Sequence, residues 1–493
     1  MPVRPLVLYV ISDLHLGGRV GVPPARGFRI NTHVPLLSEF IHRLAVRAAD
    51  TRAASRLELV INGDIVDFLA QEGPQPDQPW RAFIEDPAEA LQAYVEIRDQ
   101  ERPFFDALRE LLHQGGDLTL LLGNHDVELS LPAVRARIEA DLGAADSRGR
   151  LRWIVDGQAH AVGDVLIEHG NRYDGFNVID HDRLRRVRSA QSRRQRVPDG
   201  DGFEPPPGSR LVQQVMNPIK RDYPFVDLLK PETEAVVPLL IALEPGLAAD
   251  IERLWTLWRL KAEAGRQQPT EPAQPVHAGQ IGITPPATAA AGPQDALAQM
   301  LAGRLPGAQL AALQQLAQGA AMPAQSPIGL GDGLGNAWRR VGSLLRERFD
   351  AATWDRRLQV LLDALRTLQH DTSFDPAVEQ PAWLRPAQAL ADGGFRVVVF
   401  GHTHLAKQVP LAGGAVYLNT GTWADLMKLP AGLFAADRAH ARAALDRFVD
   451  DLRGGRHDDH LAFDPRFARC AIDEAGRCTD ARLCRFDAAA GLD

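Results

Sequence analysis

Short apolar runs that stop abruptly at polar clusters constrain this chain more than any other feature. Residues 5–11 (PLVLYVI), 57–62 (LELVIN), 117–122 (DLTLLL) and 164–168 (DVLIE) each give way to a cluster of Gly, Asp or His, and so does 395–400 (FRVVVF) far downstream. Apolar runs of about 4–8 residues bounded by turn signals are the pattern of strands buried on both faces. Helical patterns lie between the first of them, at 34–49 (VPLLSEFIHRLAVRAA) and 87–114. This alternation predicts an α/β fold in which sheets are layered against helices.

The middle of the chain reads differently. Residues 183–196 (RLRRVRSAQSRRQR) carry seven Arg, and 235–260 read as a helical pair broken at Pro245-Gly246, with Trp255 and Trp258 as core residues. Residues 267–335 are dominated by Ala, Gln, Gly and Pro, the composition of a flexible linker, and 338–368 is the better helix. Strand character returns at 395–400 and at 415–419 (AVYLN), which leads into TGTW. The expected organisation is a core split between 1–180 and 385–445. A mainly helical insertion or cap fills 181–384, with the linker at 267–335. A C-terminal extension at 446–493 holds a hairpin of 469–473 and 481–486.

Charge and cysteine content narrow the function. A net charge of −8 over 493 residues argues against a dedicated nucleic-acid binder. Cys470, Cys478 and Cys484 are spaced C-x7-C-x5-C, which fits no common zinc motif and leaves an odd thiol. They read as packing residues in a reducing compartment. With no secretory leader or membrane-spanning stretch in evidence, the expected location is the cytoplasm, peripheral to the inner membrane if the arginine run meets lipid. Five Lys against fifty Arg suggests a GC-rich bacterial genome.

The chemistry is carried by five clusters that follow the predicted strands. They are Asp13-Leu14-His15, Gly63-Asp64-Ile65-Val66-Asp67, Gly123-Asn124-His125-Asp126, His169-Gly170-Asn171 and Gly401-His402-Thr403-His404. In open α/β sheets, ligands bind beyond the carboxyl ends of the strands, so the clusters are expected to converge on one edge. Carboxylate, imidazole and amide donors without thiolate suit Zn, Mn, Fe or Mg. Side chains two apart in a strand share a face, which would let Asp13/His15 and His402/His404 each aim two groups together. The flanking glycines are expected to allow tight turns and close approach of a substrate phosphate.

Taken in order, D-x-H, G-D-x-x-D, G-N-H-D, H-G-N and G-H-T-H resemble the calcineurin-like metallophosphoesterases. The resemblance covers the N-terminal 180 residues and roughly 380–425. It implies two sheets packed face to face and flanked by helices, with two divalent metal ions at the sheet ends, manganese favoured among Mn, Fe, Zn and Mg. It assigns one metal to Asp13, His15, Asp64 and His404, and the other to Asp64, Asn124, His169 and His402, with Asp64 bridging. His125 would stay off the metals and protonate the leaving oxygen, with Asp126 orienting its ring, while Asn124, His125 and Arg172 would contact substrate. The implied activity is that of a metal-dependent phosphoric ester hydrolase, in which a metal-bridging hydroxide attacks phosphorus in line. The substrate would be a phosphorylated small molecule or a nucleotide-linked one, with no obligatory nucleic acid.

Other readings stand beside these. The D-L-H-L-G-G opening with G-D-I-V-D is similar to the UDP-2,3-diacylglucosamine hydrolases, pyrophosphatases of lipid A synthesis. This chain departs from them in carrying His125 where they usually have Arg, and in the size of its insertion. A phosphodiesterase, a phosphomonoesterase, a nucleotide pyrophosphatase and a non-catalytic scaffold that keeps the fold are the further alternatives. Asp67 reads either as an orienter of a metal-binding His or as a helix cap. Arg172 reads as a phosphate contact or a loop stabiliser, and Thr420, Gly421 and Thr422 as pocket lining or not. The arginine run is a solvated helix face or a site for an anionic substrate or membrane surface.

Overall fold

The structure, a computed structural model, describes residues 4–18, 28–51, 54–73, 79–147, 149–198, 200–220, 223, 225–229, 358, 361–363, 365, 374–489 and 491–492. The readings of 235–260, of 267–335 and of most of 338–368 lie outside the described residues.

Strands follow in chain order as β1 (Leu6–Ile11), β2 (Arg56–Asn62), β3 (Asp117–Leu121), β4 (Leu151–Ile154), β5 (His160–Val162), β6 (Val165–Ile167), β7 (Val397–Phe400), β8 (Ala406–Pro410), β9 (Val416–Thr420), β10 (Leu426–Met427), β11 (Leu461–Ala462), β12 (Arg466–Ile472) and β13 (Cys478–Arg485). They form a sheet ordered β13-β12-β1-β2-β3-β4, a second ordered β5-β6-β7-β9-β8, and the small pair β10-β11. In the first sheet β1 to β4 run parallel. The expected hairpin, β12-β13, pairs antiparallel with β1 and so extends that sheet. In the second, β6, β7 and β9 run parallel. Because β6 precedes residue 181 and β7 follows 385, this sheet is assembled from chain segments more than 200 residues apart.

The apolar runs are continuous because their strands are covered on both faces. Leu6, Leu8, Val10, Val60 and Leu121 of the first sheet share a core with Val165, Ile167, Val397, Val399 and Leu418 of the second. On its other face the first sheet packs Tyr9, Ile11, Leu59 and Ile61 against helices that include Val34–Thr51 and Arg102–His113. The second sheet turns Val398, Phe400 and Tyr417 toward the helix Pro381–Asp392. Two mixed sheets face to face with helices outside is the α/β layering that the alternation predicts.

Two details differ from expectation. The pattern at 87–114 resolves into two helices, Pro87–Gln100 and Arg102–His113. Glu101 leaves helical geometry between them, and Pro103 supplies no N–H to carry a helix through. The edge strands β4, β5 and β8 are too short or too polar to stand out as apolar runs. No helix among the described residues is long and apolar enough to cross a membrane.

A buried carboxylate takes part in the polar contacts that cross the sandwich. Glu58 of β2 is buried and accepts from Thr119 Oγ1 of β3 at 2.6 Å, with His160 Nε2 of β5 at 2.8 Å. Burial alone would raise the Glu58 carboxyl, but the His160 and Thr119 contacts outweigh it and hold it below the usual range.

Candidate metal centre

The clusters sit immediately past β1, β2, β3, β6 and β7, and their backbone is unusual. Six described non-glycine residues have positive φ, and five are Asp13 (53°), His15 (43°), Asp64 (50°), His402 (69°) and His404 (62°). A left-handed backbone costs a non-glycine residue about 1–3 kcal/mol and persists only where the surroundings enforce it. Here Leu14 and His15 N–H both donate to Asp64 O, at 2.8 and 2.9 Å, while His402 N–H donates to the Asp13 carboxylate at 3.0 Å. This corrects the strand argument for D-x-H and H-T-H. The residues two apart lie beyond the strand ends, and interlocked left-handed turns, not the pleat, direct their side chains.

Side chains from the five clusters meet. Asp13, His15, Asp64 and His404 offer donor atoms that all lie within 4.8 Å of one another, and so do Asp64, His169 and His402. Asp64 belongs to both groups. Nε2 of His404 stands 3.0 Å from Nε2 of His15 and 3.5 Å from Asp13 Oδ1. Asp64 Oδ2 is 3.7 Å from His15 Nε2 and 3.3 Å from His169 Nε2. A third such group, His15, Asp67 and His125, adjoins the first.

Surrounding contacts aim these donors. His169 Nδ1–H donates to Asn62 O at 2.7 Å, which leaves Nε2 as the basic nitrogen, buried and without a hydrogen-bond partner. Asn124 donates its Nδ2–H to Asn177 Oδ1 at 3.3 Å, and its own Oδ1 is likewise buried without a partner. His402 Nε2 lies 3.0 Å from Asp174 Oδ2. Ser12 donates its hydroxyl to Asp13 Oδ2 and contacts Thr420 Oγ1 at 2.7 Å. Neither Asp174 nor Asn177 is singled out by the sequence reading, although both follow H-G-N in the same loop.

Electrostatics mark an excess of negative charge. Burial raises the Asp13 carboxyl above its usual range. It also works against the Asp64 anion, yet His169, His125 and His15 outweigh it and hold that carboxyl well below the usual range. A charged His169 is likewise opposed by burial, but Asp64 and Asp13 push its pKa up to about 9. A site that draws protons onto an imidazole this strongly is one where a cation can take their place. Two unpartnered buried donors and carboxylates in need of positive charge therefore fit divalent metal.

Three glycines have a use beyond those expected. A Cβ on Gly63 would stand 2.5 Å from His169 Nδ1, one on Gly123 2.7 Å from Asp64 Cγ, and one on Gly401 2.7 Å from Asp13 Oδ2. They let the candidate ligands lie against neighbouring backbone.

Some expected roles change. Asp126 does not orient His125. Its buried carboxylate accepts the N–H groups of Gly123 and Ile65, each at 2.7 Å, and so ties the β2 and β3 loops together. Burial first, then the nearby Asp64, push its pKa up to about 7. Asp67 faces His125 instead, with its Oδ1 3.3 Å from Nδ1. Asp67 also caps Ala70 N–H, as the helix-cap reading expects, and its Oδ2 stands 3.6 Å from His15 Nδ1. Arg172 stands 3.5 Å from Glu168 Oε2 and over the Tyr173 ring, beside a different cavity. Thr420, Gly421 and Thr422 brace Ser12 and Asp13 from behind. In the helix His181–Ser192, Arg183, Arg185, Arg186 and Arg188 each pair with a carboxylate of this chain.

The groups open into a cavity of about 230 Å³, lined by His15, Asp64, Asn124, His125, His402 and His404. Segment 208–220 contributes Gly208, Leu211, Val212, Met216, Asn217 and Lys220 to the same lining. No family model, curated protein or solved structure matches the chain.

Proposed function

We propose that this protein is a metal-dependent phosphoric ester hydrolase of the calcineurin-like metallophosphoesterase kind, holding two divalent cations, with manganese favoured. The observation that carries this reading is the pair of donor groups sharing Asp64. Asp13, His15 and His404 would complete one site, and His169, His402 and Asn124 the other. When bound, two cations on one carboxylate supply Lewis acidity to a phosphoryl group and a nucleophile near neutral pH.

The chain's own groups do the remaining work. His125 lines the cavity with Nδ1 held at Asp67, so its ring is set to pass a proton to the leaving oxygen. Asn177 and Asp174 hold Asn124 and His402 in place. The cavity suits a phosphorylated small molecule or one nucleotide-linked group, and the two-sheet layering with ligands at strand ends is compatible with the calcineurin-like fold. Three free thiols suit a cytoplasmic setting.

The test is a substrate panel on manganese-reconstituted full-length protein: p-nitrophenyl phosphate, its bis-ester, nucleoside diphosphate sugars and cyclic nucleotides. Asp64→Ala should lower the best activity by about 100-fold or more while circular dichroism stays unchanged. Undiminished turnover in that variant would end the proposal.

A further inference from the structure

The cavity is also lined by polar residues that are not candidate cation ligands. Part of this lining comes from Pro207–Leu211, a π-helical turn Val212–Met216, and Asn217–Lys220. A π turn shifts the residues after it relative to an α-helix, and such turns recur at functional sites. Here the shifted residues are Asn217 and Lys220, three apart and therefore neighbours on one face. Both line the cavity and each is 1% exposed.

Their hydrogen bonding is incomplete in a specific way. Asn217 Nδ2–H donates to Leu69 O at 2.7 Å, which fixes the amide. Its Oδ1 is buried and has no hydrogen-bond partner. Lys220 donates to the carboxylate of Asp227, also on the cavity wall, and its ammonium lies 5.3 Å from the Phe28 ring centre. The wall thus offers an unsatisfied amide acceptor, a carboxylate acceptor and an ammonium donor, with Leu211, Val212 and Met216 beside them.

Two ligand chemistries compete for such a wall. A second phosphoryl group would need a cation to spare, and the charge of Lys220 is already matched by Asp227. A hydroxyl group both donates and accepts. It can satisfy Asn217 Oδ1 or Asp227 while accepting from Lys220, and the carbon face of a ring can lie on the apolar residues.

We propose that Asn217, Lys220 and Asp227 form a subsite for a hydroxyl-bearing group of the substrate, a sugar, ribose or polyol joined to the phosphoryl group at the cations. This rests on the phosphoesterase reading and names its substrate class.

The experiment compares calorimetric binding of glucose 1-phosphate and phenyl phosphate to the manganese-loaded full chain, with turnover of p-nitrophenyl phosphate measured alongside. Wild type should bind the sugar phosphate about tenfold more tightly, the worth of one or two good hydrogen bonds. Asn217→Leu and Lys220→Met should bring the ratio of the two affinities close to one. Equal affinities in wild type would overturn the proposal. So would variants that weaken both ligands alike and keep the ratio, because that is the signature of a merely structural role. Turnover without selectivity sinks the subsite alone; selective binding without turnover of any phosphate ester sinks the phosphoesterase reading and leaves the subsite standing.

Discussion

Gly123→Ala is the sharpest probe of the shared carboxylate. Gly123 has no positive φ, so an alanine there introduces no backbone strain and the effect is purely one of space. The new methyl would stand 2.7 Å from Asp64 Cγ, where ordinary contact begins at 3.4 Å. It would also overlap the Asp64 backbone N and Oδ1, so the loop itself must give way and carry the carboxylate at least about 0.7 Å, a large fraction of a metal–oxygen bond of about 2.0–2.2 Å. The carboxylate is also held in place by the His125 N–H, which donates to Oδ1 at 2.9 Å. Misplacing a catalytic group by about 1 Å costs on the order of 100-fold in rate, and overpacking a tight site costs about 1–3 kcal/mol of stability. Gly123→Ala should lower kcat/KM by roughly 100-fold at saturating manganese and reduce manganese retained after gel filtration, as read by elemental analysis. Gly202→Ala is the control: Gly202 also has ordinary φ, and the nearest atom to its added Cβ is 3.9 Å away. If Gly123→Ala keeps full metal content and full turnover, Asp64 does not bridge cations.

Further expectations follow from the same contacts. A Cβ on Gly208 would stand 3.0 Å from Asn177 Cγ and 2.9 Å from Phe176 O, so Gly208→Ala should displace the side chain that aims Asn124. Weakening of one of two manganese-binding steps by about 10–100-fold in a titration is the expected outcome, and two unchanged steps would refute it. For His125→Ala, the fall in kcat should be about 100-fold or more for an alkyl phosphate and much smaller for a p-nitrophenyl ester, whose leaving group needs no proton. Equal losses would remove His125 as the acid. Glu58 has a lowered folded-state pKa, so its stabilising contribution is present above its unfolded value of 4.5 and is lost as pH falls through the folded one. Urea midpoints should therefore drop between pH 6 and about pH 3 more steeply in wild type than in Glu58→Gln, and parallel curves would show that the contact across the sandwich carries no such linkage.

Much of this architecture is written locally. Runs such as 59–61 and 397–400 are apolar throughout because both faces of their strands are buried, and they lead into Gly-Asp or Gly-His because the chain must turn there. That makes strand positions, the α/β layering and the identities of the candidate ligands readable without coordinates. What was not readable depends on contacts between distant segments. Asp126 and Asp67 are equally polar in sequence, and only the folded loops decide that one binds backbone and the other faces His125. Arg172 directly follows H-G-N, yet a 3₁₀ turn at Asn171–Tyr173 carries it toward Glu168. The left-handed φ of five ligand candidates has no local signature, because Asp and His pay for that geometry only when opposing loops hold it. Composition and spacing thus determined which donor atoms the chain possesses. The tertiary structure decided where each one points, since direction is set by partners such as Asn177, Asp174 and Asn62 that are distant in sequence from the groups they hold.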